Sequence, residues 1–188
     1  MQLTDPKAIR ALSHPLRLDL LEALAVTGPA TAAECGRRLG VSQASCSFHL
    51  RQLARYGFVD DAGPGDDRRE RRWRLRATPT TIQPAAGNDA VRRHLERLVI
   101  EREAQAAIDY LPRRDAEDAR WRAGTGGMAA LLLLDAAEAA ELKRAWRALL
   151  EPYIARAATD PEPGQRHVRY FMTATPASPT GEDDDTDH

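Results

Sequence analysis

Two short helix-forming segments that meet at Gly40 constrain the fold of this chain more than any other feature. Thr31 and Glu34 have the spacing of a capping box, so a helix begins at this Thr and ends at Gly40. Ser42 can cap a second helix, which ends before Gly57. Because so short a turn sets two helices at a steep angle, this pattern predicts a helix-turn-helix.

The segments on either side predict two further helices and a hairpin. A short helix over 7–12 is followed by a longer one that begins at Pro15, a residue whose missing N–H costs nothing in a first helical turn. The run 72–76 alternates Arg with apolar residues, as a half-buried strand does, with Trp73 facing inward and the arginines outward. With the strand before it, this run makes a two-stranded hairpin. The order predicts a winged helix-turn-helix over residues 5–78.

The segments ALSHPLRLDLLEAL and LGVSQASCSFHLRQLARYGFV carry a longer motif. Its elements are a His/Pro-Leu-Arg start of a helix, and a helix of the form Ser-Gln-x-x-x-Ser-x-His-Leu-x-x-Leu followed by Gly. The matching residues are Ser42, Gln43, Ser47, His49, Leu50, Leu53 and Gly57. In this motif the chain resembles the ArsR-type family of bacterial transcription regulators, over about residues 5–78. The resemblance implies a homodimeric regulator, most often a repressor, on a palindromic operator.

Polar side chains on the second helix of the motif are candidate DNA contacts. An apolar stripe of Ala44, Cys46, Leu50 and Leu53 faces the core. Gln can bond adenine, Arg can bond guanine or phosphate, and an aromatic ring can pack on a thymine methyl. The predicted contacts on this helix are Ser42, Gln43, Ser45, Ser47, Phe48, His49, Arg51 and Arg55. The alternatives are a solvated helix face, a Phe48 folded onto the wing, and a His49 that bonds a neighbouring side chain.

Arginines near the wing tip are a second set of candidate contacts, because wings reach phosphates and the minor groove. The predicted residues are Arg68, Arg69, Arg71 and Arg72. The alternative is a solvated hairpin with internal ion pairs, since Asp66, Asp67 and Glu70 are interspersed with them.

Metal sensing and cofactor binding are not expected. Many relatives in the family bind a soft metal through Cys-x-Cys, but those positions are Thr31 and Ala33 here, and neither ligates such an ion. Cys35 and Cys46 fall at core positions and behave as small buried hydrophobes. A redox switch at Cys35 stays open as an alternative, with Arg37 and Arg38 as its basic neighbours.

The rest of the chain predicts a dimerisation and effector segment over 88–174. Residues 77–87 form a linker, and a helix over 88–111 would pair with its symmetry mate through Val91, Leu95 and Leu98. The alternative is that this helix packs on its own winged domain, and both can hold. A strand (129–134), a helix (136–158) and a second strand (167–173) follow, then a disordered acidic tail (175–188).

Five aromatic residues of this segment line a small-molecule effector pocket or, as the preferred interpretation, form its core. They are Trp121, Trp146, Tyr153, Tyr170 and Phe171. These elements follow the winged domain as in the extended regulators of the family from actinobacteria, which this chain resembles.

The charge distribution bears on the class of partner. The 188 residues have a net charge of −1, but residues 1–80 carry +4 and residues 159–188 carry −5. An anionic partner therefore meets the N-terminal part. No apolar stretch is long enough for a membrane span, no signal-peptide core is present, and no catalytic motif appears, so we expect a cytoplasmic protein that is not an enzyme. The alternative function is a winged-helix module that binds a protein or an effector without recognising a DNA sequence.

Overall fold

The computed structural model describes residues 6–65, 70–76, 89–156 and 161–177. Its elements, in order, are α1 (Pro6–Leu12), α2 (Pro15–Thr27), β1 (Ala30–Thr31), α3 (Ala32–Leu39), α4 (Gln43–Arg55), β2 (Val59–Pro64), β3 (Arg71–Leu75), α5 (Asp89–Arg114), α6 (Ala119–Gly124) and α7 (Ala136–Arg156). The elements up to β3 form a winged helix-turn-helix, and α5 is the long helix that follows it. The sequence predicts an α+β fold that is mostly α, with a winged helix-turn-helix, a long helix and a small strand-helix-strand segment; the mostly helical winged fold and the long helix are confirmed. The predicted linker, Arg68, Arg69 and the tail beyond residue 177 lie outside the described residues.

The predicted caps form in the helix-turn-helix. The Thr31 backbone N–H donates to Oε2 of Glu34 (2.6 Å), and the Glu34 N–H donates to Oγ1 of Thr31 (3.2 Å). Gly40 ends α3 in the left-handed conformation, with φ of 67°, so the chain turns at once into α4. The turn also needs a small residue at Gly36, because an added Cβ there would stand 2.6 Å from the carbonyl oxygen of Val41.

The wing has one strand more than the sequence predicted. The sheet is antiparallel with the order β1-β3-β2, and β1 pairs Ala30 with Trp73. A two-residue strand leaves no periodic pattern in a sequence, which is why the hairpin was predicted as two-stranded. Trp73 faces the core, as expected. Arg72 does not face outward: it is half-buried, and its Nη2 donates to the carbonyl oxygen of Pro29 (2.7 Å), which holds β1 against β3.

The N-terminal half of α5 packs on the winged domain. This helix contacts α1, and Leu95 is fully buried in the same core as the leucines of α2 and α4. Val91 and Leu98 are partly buried against that core. Leu95 therefore packs within its own chain, as the alternative interpretation of this helix stated. Its side chain is not available to a symmetry mate. The helix then extends past the domain, so Ile108 is 58% exposed.

Residues 112–177 differ from the predicted strand-helix-strand unit. The helix α7 forms as expected, and α6 adds a short helix that the sequence did not predict. Residues 129–134 and 167–173 have no regular secondary structure, and neither pairs with another segment of the described chain. The continuous apolar run of 129–134 is consistent with a buried strand, but a strand also needs a partner. Among the helices of the described ranges, none combines the length and the apolar character needed to span a membrane.

Candidate nucleic-acid interface

The helix α4 is held rigidly from behind. The Ser42 side chain accepts a hydrogen bond from the Ser45 backbone N–H (3.2 Å) and caps the helix. Cys46, Leu50 and Leu53 are fully buried against the rest of the domain. Ala44, predicted in this stripe, is instead exposed. It lies two residues before Cys46, which is about 200° around a helix that turns about 100° per residue.

The opposite face of α4 presents a stripe of exposed side chains, which we call the outer stripe: Ala44, Phe48, Arg51 and Arg55. Their spacing of four, three and four residues puts them on one line along the helix. Phe48 is 51% exposed, and its ring lies nearly perpendicular to that of His49, with 5.1 Å between the ring centroids. Sequence reasoning missed Ala44, although its spacing from the three other residues would have revealed it.

The polar residues at the N-terminal end of α4 take different positions. Ser42 and Gln43 are exposed, whereas Ser45 and Ser47 are half-buried. Nε2 of Gln43 donates to Oε1 of Glu70 on the wing (3.3 Å), which connects the start of this helix to the hairpin. At this end of the helix two of the four predicted side chains are therefore exposed, and each also makes a hydrogen bond within the chain.

His49 faces the protein rather than the outer stripe. Its ring lies 4.3 Å from that of His14 at the start of α2, and Nδ1 of each ring is buried without a hydrogen-bond partner among the described residues. Nε of Arg17 is also buried nearby, without a hydrogen-bond partner among the described residues. Burial lowers the pKa of both histidines, and the Arg17 charge lowers each of them further. The ring of His49 thus contacts that of His14, but Nδ1 of His49 makes no hydrogen bond to a neighbouring side chain of the described residues.

The described part of the wing offers fewer arginines than the sequence suggested. Arg71 is exposed, but its Nε lies 3.0 Å from Oδ2 of Asp61 and its guanidinium 5.5 Å from the centre of the Trp73 ring. Arg72 is engaged with Pro29. Arg74 on β3 is exposed and was not predicted as a contact.

The cysteines occupy the core, as predicted. Both Cys35 and Cys46 are buried free thiols. Burial raises the pKa of the Cys35 thiol to about 11, so very little reactive thiolate forms at neutral pH. Within the residues that the structure describes, no group of three His, Cys, Asp or Glu side chains is placed to hold a metal ion.

The C-terminal aromatics form separate surface pairs. Trp146 meets Tyr170 at 6.2 Å between ring centres, and Arg166 lies 4.8 Å from the ring centre of Trp121. Tyr153, Tyr170 and Phe171 are 58%, 59% and 41% exposed. The preferred interpretation of these residues as a core is therefore wrong for the single chain, because no second layer covers them.

The helix-turn-helix has a counterpart among known domain families. Residues 12–62 match the model of a helix-turn-helix domain. The fold and this match together define the class: this is a winged helix-turn-helix protein, the architecture that places its second helix in the major groove of DNA. No curated protein sequence matches the chain.

Solved structures show a weaker likeness. The transcriptional regulator PcaV from Streptomyces coelicolor, crystallised with its natural ligand, is 18% identical over 73% of this chain and 74% of its own, with a TM-score of 0.33. Wild-type MarR from E. coli, in its apo form, is 18% identical over 77% of this chain and 88% of its own, with a TM-score of 0.32. A ZitR mutant from Lactococcus lactis is 16% identical over 76% of this chain and 83% of its own, with a TM-score of 0.32. Likenesses at this level carry no argument about what this chain binds.

Proposed function

We propose that this protein is a sequence-specific, double-stranded DNA-binding transcription regulator of the ArsR type, and that it acts as a homodimeric repressor on a palindromic operator. The observation that carries the proposal is the outer stripe of α4. A half-exposed phenylalanine beside two exposed arginines on the same helix face is costly to leave in water, but it suits a groove that offers thymine methyls and guanine edges. The Ser-Gln-x-x-x-Ser-x-His-Leu-x-x-Leu motif supports the family assignment.

Each exposed side chain has a distinct role in this proposal. Arg51 and Arg55 contact base edges and phosphates, Phe48 and Ala44 pack on thymine methyls, and Gln43 reads adenine from the start of the helix. Ser42 contacts the DNA backbone. The half-buried Ser45 and Ser47 lie where the helix surface comes closest to the DNA. Arg71 with the wing residues Arg68 and Arg69 binds phosphate. In a homodimer the two α4 helices enter major grooves about 34 Å apart.

The experiment is selection of bound duplexes from a random DNA pool at two salt concentrations. We expect a palindrome with half-sites about one helical turn apart, and an affinity that falls steeply with salt. Arg51→Ala should weaken binding to the selected site more than to random DNA, by about 1–3 kcal/mol. Arg144→Ala, which removes the same charge from an exposed position on α7, is the control. Binding without any motif would contradict sequence-specific recognition.

Ion pairs on the hairpin favour a second candidate function. Arg71 pairs with Asp61, and Nε of Arg76 lies 3.5 Å from Oδ2 of Asp60, so part of the positive charge of the wing is already neutralised. This is the pattern of a winged module that binds a protein rather than DNA. The salt series separates the two candidates, because a protein module has no preferred duplex.

The remaining parts of the proposal concern location and chemistry. We propose a cytoplasmic protein that is not an enzyme, carries no cofactor, and responds to an unknown small-molecule effector. The buried, high-pKa thiol of Cys35 and the absence of Cys-x-Cys at Thr31 and Ala33 support regulation by something other than a thiol oxidant or a soft metal.

A further inference from the structure

The exposed large apolar side chains gather in the C-terminal half of the chain. They lie in residues 128–134, in residues 168–172, and on the stripe of α7 formed by Leu142, Leu149 and Tyr153. We call these three parts the C-terminal apolar surface. Leu133 is completely exposed, at 102%, and α7 has no buried residue along its whole length. The helix α7 of this half is therefore formed, but no apolar layer of the described residues covers its apolar side chains.

The area involved is too large for an ordinary monomer surface. Twelve large apolar side chains of this surface are 39–102% exposed, which together leaves on the order of 1,000 Å² of apolar side chain in water. The largest apolar patch on a typical monomer is about 300–600 Å². A stable interface buries about 800 Å² on each partner, and obligate homodimers bury more and are more apolar. The exposed area thus matches one side of an obligate interface.

The last segment is fixed with its apolar side chains outward. Arg169 forms ion pairs with Glu22 of α2 and with Glu103 of α5 (3.1 Å), and Arg166 pairs with Glu117 (2.8 Å). In a monomer the arginines of such a segment would face water and the apolar residues would face the protein. Here the charged residues anchor the segment, while Val168 and Phe171 are 43% and 41% exposed.

We propose that a second copy of this chain covers the C-terminal apolar surface, and that residues 129–134 and 167–173 become strands in that contact. Both segments lack regular secondary structure and a partner strand in the described chain, and no backbone hydrogen bond joins them to another described segment, so their N–H and C=O groups are open to a ladder. Across a two-fold axis a segment can pair antiparallel with its own copy, which satisfies both at once.

Two other occupants fit the surface less well. A small ligand occupies a concave pocket and cannot cover an area spread over three segments. A membrane surface favours a helix with a uniformly basic polar face, whereas α7 intersperses Glu138, Glu141 and Glu151 with its basic residues.

This inference rests on the homodimer of the proposed function and assigns its interface to the C-terminal half rather than to Leu95. The experiment is light scattering of the full chain after size exclusion, over a range of concentrations. We expect twice the chain mass of 20.8 kDa for the native protein. In Leu133→Glu we expect the dissociation constant to rise on the order of a hundredfold, because a charge would be buried without a partner. The fully exposed position leaves the folded monomer unaffected.

The matched control is Val26→Glu, which places the same charge on an exposed apolar residue of α2, outside the surface. It should stay dimeric. Amide hydrogen exchange adds a second measurement: residues 129–134 and 167–173 should be protected in the native protein and unprotected in Leu133→Glu. A native protein that is monomeric at about 100 µM, or a Leu133→Glu that remains dimeric, would overturn the proposal.

DNA binding measured on the same proteins separates the two proposals. A monomeric Leu133→Glu that still binds a half-site duplex supports both. A native dimer that Leu133→Glu dissociates, with no duplex bound by either protein, leaves the interface intact and contradicts the proposed function. A native monomer that binds the selected palindrome contradicts the interface and the homodimer, but leaves sequence-specific DNA binding intact.

Discussion

At the scale of single residues, neighbours in space decide what a side chain does. The caps at Thr31 and Ser42 were predictable, because their partners lie three residues away. The orientation of His49 was not predictable, since its ring contacts His14, which is 35 positions earlier in the chain. A histidine at the border between a buried and an exposed stripe can face either way, and the motif alone does not distinguish the two.

The histidine pair predicts a dependence of stability on pH. Burial and the Arg17 charge hold both pKa values below the ordinary value of 6.5, although Asp19 partly opposes this for His14. The unfolded chain therefore binds more protons than the folded chain as the pH falls below 6.5. The stabilisation is complete above that pH and is lost as the pH falls through the folded-state pKa values.

The measurement is urea unfolding between about pH 7.5 and about pH 5.5, a range that avoids most carboxylate titration. The midpoint should fall with pH in the native protein and fall less in His49→Gln. The control is His94→Gln, which removes an exposed histidine of α5 and should keep the native slope. An equal slope in all three proteins would show that the pair does not titrate as proposed.

The thiols give a second prediction at this scale. In a Cys46→Ala variant, Cys35 is the single thiol, and a thiol-specific reagent should label it at least about a hundredfold more slowly in the folded protein than in urea. Burial and the raised pKa both limit the thiolate. Operator affinity should be the same in reducing and oxidising buffer. Rapid labelling of the folded protein would support a redox switch at Cys35 instead.

At the scale of elements, prediction succeeded where each element carries its own signals. The helices of residues 6–55 carry local signals, and the structure confirms them: α3 and α4 have side-chain caps, α2 begins at Pro15, and Gly28 and Gly40 follow α2 and α3. β1 has none of these, since its two residues become a strand only when Trp73 lies opposite. The segments 129–134 and 167–173 show the converse: a strand pattern is present, but the described chain supplies no partner strand.

The turn between α3 and α4 depends on Gly36. A methyl group at this position would lie 2.6 Å from the carbonyl oxygen of Val41, and backbone cannot move aside as a flexible side chain can. Gly36→Ala should therefore lower the free energy of unfolding by about 1–3 kcal/mol, measured by urea denaturation. Gly124→Ala is the matched control, because nothing lies within 4 Å of its added Cβ. A neutral Gly36→Ala would mean that the two helices can separate at little cost.

At the scale of the whole molecule, charged side chains join the C-terminal half to the winged domain. Arg102 of α5 pairs with Asp19 (3.2 Å) and Glu22 of α2 and with Glu103 (2.8 Å), while Arg169 pairs with Glu22 and Glu103. The sequence did not predict this network, because its members are separated by up to 147 positions. This network connects the C-terminal apolar surface directly to α2. The first residue of α2 follows His14, which is one member of the histidine pair.

Arg169 is the residue through which this connection can be broken. Arg169→Gln should leave Glu22 and Glu103 with Arg102 alone, and so release residues 166–172 from the winged domain. We expect faster amide exchange in that segment and a loss of about 0.5–1 kcal/mol in the free energy of unfolding, because the ion pair belongs to a network that is only partly exposed. Both effects should shrink at about 1 M salt, where charges are screened over about 3 Å.

The control is Arg97→Gln, which breaks a solvent-exposed pair with Glu101 on α5 and should leave the free energy of unfolding nearly unchanged. If the segment is also held by a second copy, exchange in Arg169→Gln should depend on protein concentration, since dimerisation then replaces the lost anchor. Exchange that is unchanged from the native protein at every concentration would mean that Arg169 does not hold the segment. The apolar side chains would then be the main attachment of this segment to the rest of the molecule.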